Sequence, residues 1–138
     1  MTTASPNPIA SPTASPYAEA MPPLRLFFGL RGRVSRRQYW LYGVLALIGL
    51  AVLGQALLGI ARVSSRNADL IVNLLLVWPA LAVSVKRWHD RDKSGWWVLL
   101  NLLPVIGWLW VLIDNGLLRG TPGPNRFGED PLTAELRA

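Results

Sequence analysis

The sequence predicts an all-α fold: a polytopic transmembrane helical bundle with three spans. Three observations carry this. Hydrophobic residues make up 51% of the 138 and charged residues only 16%, whereas a soluble domain carries about a quarter charged residues. The apolar residues gather into runs close to the roughly 20 that a helix needs to cross a bilayer. Lys and Arg sit at the ends of those runs, where topology signals lie.

Other classes fit less well. The net charge of +6 invites a nucleic-acid reading. The basic residues flank apolar runs, however, and form no basic helix face or arm, so no nucleic acid is expected as a partner. They suit topology signalling and attraction to anionic phospholipids of the lipid bilayer. The chain has no Cys, which excludes disulfides and thiolate metal sites.

Residues 1–23 form an Ala/Ser/Pro-rich tail, with Ala-Ser-Pro at 4–6, 10–12 and 14–16. Pro blocks regular structure and apolar groups are too few to offset ordering entropy, so disorder is expected. The tail lacks the basic and apolar regions of a signal peptide. Met21 is an alternative start.

The membrane domain is expected over 24–131. Leu24 to Leu30 suit a short amphipathic segment on the membrane surface. Ser35 and Gln38 have capping-box spacing, so the first long helix is expected over about 36–61. Arg31, Arg33, Arg36 and Arg37 precede its apolar run, and Tyr39 and Trp40 are placed as interface anchors. Gly43, Ala46, Gly49 and Gly54 fall on one broad side, where a neighbouring helix can come close.

Arg62 to Asn67 read as a short loop. Asn67 is the expected cap of a second helix over about 68–85, with Asp69 in its first turn. Pro79 is expected to kink it or free a carbonyl. Antiparallel packing brings Gln55 and Asn73 to similar depth, which predicts an interhelical hydrogen bond between them.

Residues 86–97, Lys-Arg-Trp-His-Asp-Arg-Asp-Lys-Ser-Gly-Trp-Trp, are the most charged stretch and hold the one histidine. They read as a membrane-surface loop. Ser94 is the expected cap of a third helix over about 95–113, with Trp96 and Trp97 in its first turn. Pro104 to Gly107 interrupt that helix. It is either one kinked span or a re-entrant hairpin, and the kinked span is favoured because each half is too short to cross alone. Gly and Pro at 120–124 are turn chemistry, and 132–138 read as a polar end.

With three spans, the N-terminal basic residues and the 86–93 loop share one side, while Arg62, Arg66, Arg119 and Arg126 fall on the other. The positive-inside bias then makes the N-terminus and the 86–93 loop cytoplasmic and the C-terminus external, whereas a re-entrant third segment would return the tail to the cytoplasm.

Three motifs read together carry a resemblance. Gly32-Arg33-Val34-Ser35-Arg36 with Tyr39-Trp40 resembles the opening motif of the Domain of Unknown Function 805 family. Arg87-x-His89-Asp90 followed by Ser94-Gly95-Trp96-Trp97 resembles its central motif. Gly120-Thr121-Pro122-Gly123 followed by Asn125-Arg126-Phe127-Gly128 resembles its closing motif. Order and spacing agree over about 24–131, although Lys86 and Trp88 stand where such proteins often show Arg and Leu. The resemblance implies a small multi-pass protein of the bacterial cytoplasmic (inner) membrane and implies no reaction.

His89-Asp90 is the sharpest chemical pair. A metal phosphohydrolase needs further His and Asp ligands, and a zinc site needs three or four converging ligands. Nothing near Ser35, Ser84 or Ser94 resembles a nucleophile elbow. No catalytic residue, metal or cofactor is therefore expected. Asp90 is expected to pair with Arg87 or Arg91, or to accept from the next helix start. The functional candidate is an anion or lipid head-group site built from the cations Arg33, Arg36, Arg37, Lys86, Arg87 and Arg91, with Ser35, His89, Asp90, Ser94, Trp96, Asn125 and Arg126 as the other motif residues. The expected function is a non-enzymatic membrane interaction or accessory protein that contacts anionic lipid head groups, a membrane protein partner, or itself as a homo-oligomer. An oligomeric transporter or channel subunit is the alternative, and a lipid-modifying enzyme the third reading.

Overall fold

A computed structural model describes residues 22–133. The expected tail up to residue 21, and residues 134–138, lie outside the described residues. All regular elements among them are helices, supplemented by one isolated antiparallel bridge between Asn125 and Gly128. They are α1 (Pro23–Phe28), α2 (Arg36–Ile60), α3 (Ser65–Asp90), the 3-10 helix α4 (Gly95–Leu102) and α5 (Ile106–Leu117).

Helix α2 starts where its cap directs. The Ser35 hydroxyl accepts from the Gln38 backbone N–H, and the Gln38 side chain accepts from the Ser35 N–H. The helix widens to π geometry over Tyr39–Ala46 and is α-helical over Leu47–Ile60. A tight connection through Arg62, whose φ is +58°, leads into α3. This connection is shorter than expected. Ser64 rather than Asn67 precedes α3, and it makes no side-chain cap bond. Pro79 lies buried inside α3, which runs on as one 26-residue helix. At 1.5 Å per residue that is about 39 Å, enough to cross the hydrocarbon.

The α2–α3 hairpin closes on small residues. A Cβ at Gly43 would stand 2.7 Å from Val83 Cγ1, and one at Gly54 would stand 3.1 Å from Val72 Cγ2, whereas Gly49 meets open space. The register differs from expectation. Gln55 Nε2 donates to Asp69 Oδ1 at 2.6 Å and not to Asn73, which donates to the Asp69 backbone carbonyl. Because the connection is short and α3 starts early, the level of Gln55 shifts one turn along α3.

The third apolar segment is a hairpin, not one kinked span. Helices α4 and α5 fold back on each other through Leu103–Val105, and Val105 has a φ of +61°. A Cβ at Gly107 would overlap the Leu100 carbonyl, so only glycine lets the two arms approach this closely. Trp108 Nε1 donates to the Asn101 carbonyl at 3.1 Å across the turn. The Pro-Val-Ile-Gly sequence turns the backbone outright because both partners of the turn lie within the segment.

The fold is inverted relative to a soluble domain. Leu45, Leu53, Ile60, Leu74, Leu75 and Ile106 are among the many large apolar side chains left exposed, while Arg33, Lys86, Arg87, Asp90 and Asp114 are buried. Water would favour the opposite arrangement. A lipid surround accepts the apolar exterior, and the buried charges at one end bond to one another or to backbone carbonyls.

Candidate functional site

The last turn of α3 is the hub of that charged end. Lys86, Arg87, Trp88, His89 and Asp90 are all buried. They are helical, not a surface loop, because Lys86, Arg87, His89 and Asp90 each bond to an element distant in sequence, and Trp88 packs its ring against Trp97. Lys86 Nζ donates to the carbonyls of Arg25 and Leu26, the latter at 2.6 Å. Both carbonyls lie in α1: that of Arg25 also accepts from the Gly29 N–H at 3.2 Å, and that of Leu26 is in the last turn, where carbonyls lack intrahelical partners. Leu26, Val34 and Val83 pack beneath, flanked by Phe27 and Tyr39.

Asp90 joins the opening and central motifs. Arg33 Nε donates to its Oδ1 at 3.0 Å, and Arg87 Nη1 pairs with its Oδ2. The rest of both guanidinium groups is taken up by the closing segment. Arg33 donates to the carbonyls of Gly123 and Thr121, both at 2.6 Å. Arg87 donates to the carbonyls of Asn115, at 2.6 Å, and Leu118. The Asp90 backbone carbonyl accepts from the Thr121 N–H at 2.8 Å and from its hydroxyl at 3.0 Å. A Cβ at Gly120 would overlap the Asp90 carboxylate, so the closing motif needs glycine there.

His89 lies on the other side of the turn. Its ring stacks on Phe127 at 3.9 Å with 4° between planes, and Nδ1 faces the Gly32 carbonyl at 3.3 Å. Asn125 Nδ2 donates to the His89 carbonyl at 2.9 Å and to the Thr121 hydroxyl oxygen, while its Oδ1 accepts from the Phe127 N–H. Arg126 reaches Asp92 at the surface.

A second layer centres on Asp114. Its two carboxylate oxygens take Arg91 at 3.0 Å and Lys93 at 2.7 Å. Lys93 also lies over the rings of Trp88 and Trp97, at 5.2 and 5.0 Å, a cation–π arrangement. Trp40 Nε1 donates to the Gly116 carbonyl at 3.0 Å, and Arg36 to that of Leu117 at 2.9 Å.

The structure thus gathers Arg33, Arg87, His89, Asp90 and Asn125 into one network. Ser35 is buried beside it as the cap of α2, and Ser94 caps α4 through Trp96 N–H at 3.5 Å. Arg37 and Trp96 stay exposed outside the network. Sequence reasoning had the cations Arg33 and Arg87 facing an anion, but both are spent on Asp90 and on backbone carbonyls. Gly120, Thr121 and Phe127 stand in the sequence only as parts of the closing motif and not as site residues, and Asp114 is not singled out there. Asp114 carried a signal: it is the first carboxylate after a long apolar stretch.

Of the two expected placements of the C-terminal segment, these contacts fit the one that goes with a hairpin, because the closing motif is bonded directly to Arg33 and Asp90. All three motifs lie at one end of the helices. Among the described residues, no three His, Asp or Glu side chains group as a metal site would.

Comparison with known proteins identifies the family. The profile of a family described as "Protein of unknown function (DUF805)" matches residues 27–129. The inner membrane protein YhaH of Escherichia coli K12 is 41% identical over 111 residues, covering 78% of this chain and 91% of that protein. The inner membrane protein YhaI of the same organism is 37% identical over 110 residues, covering 78% and 90%. The uncharacterized protein YiiR is 32% identical over 142 residues, covering 80% and 91%. No solved structure matches.

Proposed function

The chain belongs to the DUF805 family and is a membrane protein, and from that premise we propose that it is a non-enzymatic accessory protein of the inner membrane that engages anionic lipid head groups. In this reading α2 and α3 cross the bilayer, α4 and α5 form a re-entrant hairpin, and the charged hub faces the cytoplasm. Hairpin geometry supports the count of crossings. Helix α4 has 8 residues, far short of the roughly 30 Å of hydrocarbon. Charge supports the orientation: among the described residues, only Arg62 and Arg66 lie at the end away from the hub.

The observation that carries the lipid reading is the division of labour among the cations. Arg33, Lys86 and Arg87 are buried and committed to chain contacts, while Arg25, Arg31 and Arg37 are exposed around them and Arg36 is exposed with one backbone bond. Each exposed cation near an anionic bilayer contributes about 1 kcal/mol of attraction before screening. Exposed Trp96, at the start of α4 next to the hub, suits the head-group level.

The test is native mass spectrometry of protein released from vesicles of phosphatidylglycerol and phosphatidylethanolamine. Replacing Arg31 and Arg37 together by Gln is expected to lower retained phosphatidylglycerol several-fold, with thermal unfolding unchanged. Equal retention by the variant and the parent would refute the reading.

A further inference from the structure

At the end away from the hub, a polar patch faces outward from the apolar length of α2 and α3. Asp69 and Asn73 are exposed and Gln55 is partly covered. Around Asn73, the side chains of Leu70, Leu74 and Val77 are exposed as well. Counting about 20 residues of hydrocarbon back from Val85, below the hub, reaches Arg66. Asn73 then lies roughly two turns inside the apolar slab.

Asn73 is half satisfied. One N–H goes to the Asp69 carbonyl at 2.8 Å, and its second N–H and its Oδ1 make no bond among the described residues. Asp69 takes one bond to its carboxylate, from Gln55 at 2.6 Å. Lipid tails offer neither donors nor acceptors, so polar groups at this depth face protein.

We infer that this face of α3, through Arg66, Asn73 and Val77, is the interface with a second copy of the chain, related by a two-fold axis along the membrane normal. Two copies inserted the same way bring equal depths together. Asn73 has left over one N–H and one carbonyl, which is what a reciprocal amide pair with Asn73 of the second copy requires. Asp69 accepts only, and Arg66 is exposed three positions earlier with no partner among the described residues. Across the axis, Arg66 of each copy reaches Asp69 of the other. The patch is therefore complementary to itself, which an isologous interface demands. Ala80, exposed further along the helix, leaves room for close approach.

The absence of Cys makes the test direct. Val77→Cys places a thiol one turn from Asn73, and Leu75→Cys places one about 200° around the helix from it. Both parent side chains are exposed. Oxidation in native membranes is expected to give a product of twice the chain mass from Val77→Cys and little from Leu75→Cys. Adding Asn73→Leu to Val77→Cys is expected to lower that yield about tenfold. Equal yields from the two thiols, or a Val77→Cys yield indifferent to Asn73→Leu, overturns the proposal. So does a cross-linked product of some other mass, which identifies a different partner. The comparison of the two thiols stands even if Asn73→Leu folds poorly, because neither single variant touches a polar group.

Discussion

Arg33 and Asp90 meet at 3.0 Å although 57 positions separate them. The contact is buried, with side-chain exposures of 1% and 4%. It ties the segment before α2 to the last turn of α3, and Arg33 carries the tie onward to Thr121 and Gly123. One guanidinium thus holds together three segments that the sequence spreads over most of the chain. Arg suits the task because its fork of five donors serves a carboxylate and several carbonyls at once.

Asp90→Asn is expected to destabilise the protein by about 3–5 kcal/mol, because it strands two buried guanidinium groups that face one carboxylate. Arg33→Lys is expected to fail as a replacement, since an ammonium cannot span Asp90, Thr121 and Gly123 together. Thermal unfolding in mild detergent measures both. An Asp90→Asn variant as stable as the parent would mean that the backbone contacts alone hold the hub.

Gly120→Ala tests the same point from the closing segment. The added methyl overlaps the Asp90 carboxylate, so a loss of about 1–3 kcal/mol is expected. Gly49→Ala and Gly59→Ala meet open space within the helix and are expected to cause no loss of stability. Equal effects at all three positions would show that glycine at 120 serves only general flexibility.

Local features of the fold were legible in the sequence, and long-range ones were not. The Ser35–Gln38 box, the start of α2 and the Ser94 cap depend on neighbours three residues apart or fewer, and the structure has each of them. The C-terminal extent of α3 depends on Leu26, Gly32, Arg33, Thr121 and Phe127, which no local pattern connects to 86–90. Charge there signals a water-facing loop only if partners are unknown. With partners supplied, the same five residues continue the helix into a buried site. The Gln55–Asn73 expectation missed for a smaller reason: a connection a few residues shorter than assumed shifts the facing residue by one turn.

Gln55 and Asp69 are expected to be energetically coupled. A double-mutant cycle of Gln55→Leu and Asp69→Leu, read by unfolding in detergent, should give a coupling of about 0.6–1.7 kcal/mol, the range found for hydrogen bonds within membranes. Gln55→Leu and Asn73→Leu should couple more weakly, because no bond joins their side chains and they meet only through Asp69. Coupling in the second cycle and not in the first would place the register one turn away from the structure.

The hairpin α4–α5 has a topological consequence. If it returns to the leaflet it enters, a reporter fused after residue 133 shares a side with one fused before residue 22. Bonds from Arg33 to Thr121 and Gly123, and from Thr121 to Asp90, demand that arrangement. Paired fusions, one active only in the cytoplasm and one only outside it, are expected to report a cytoplasmic tail. Both ends of the described chain then flank the basic hub, as the positive-inside bias requires. An external tail would pull the closing motif across the bilayer from Asp90. Arg33 and Arg87 would lose their carbonyl partners, and the buried hub could not exist in the membrane. A cytoplasmic tail leaves Arg25, Arg31 and Arg37 on the leaflet where anionic lipid attraction acts, so this measurement also decides whether the lipid reading has the right surface to work with.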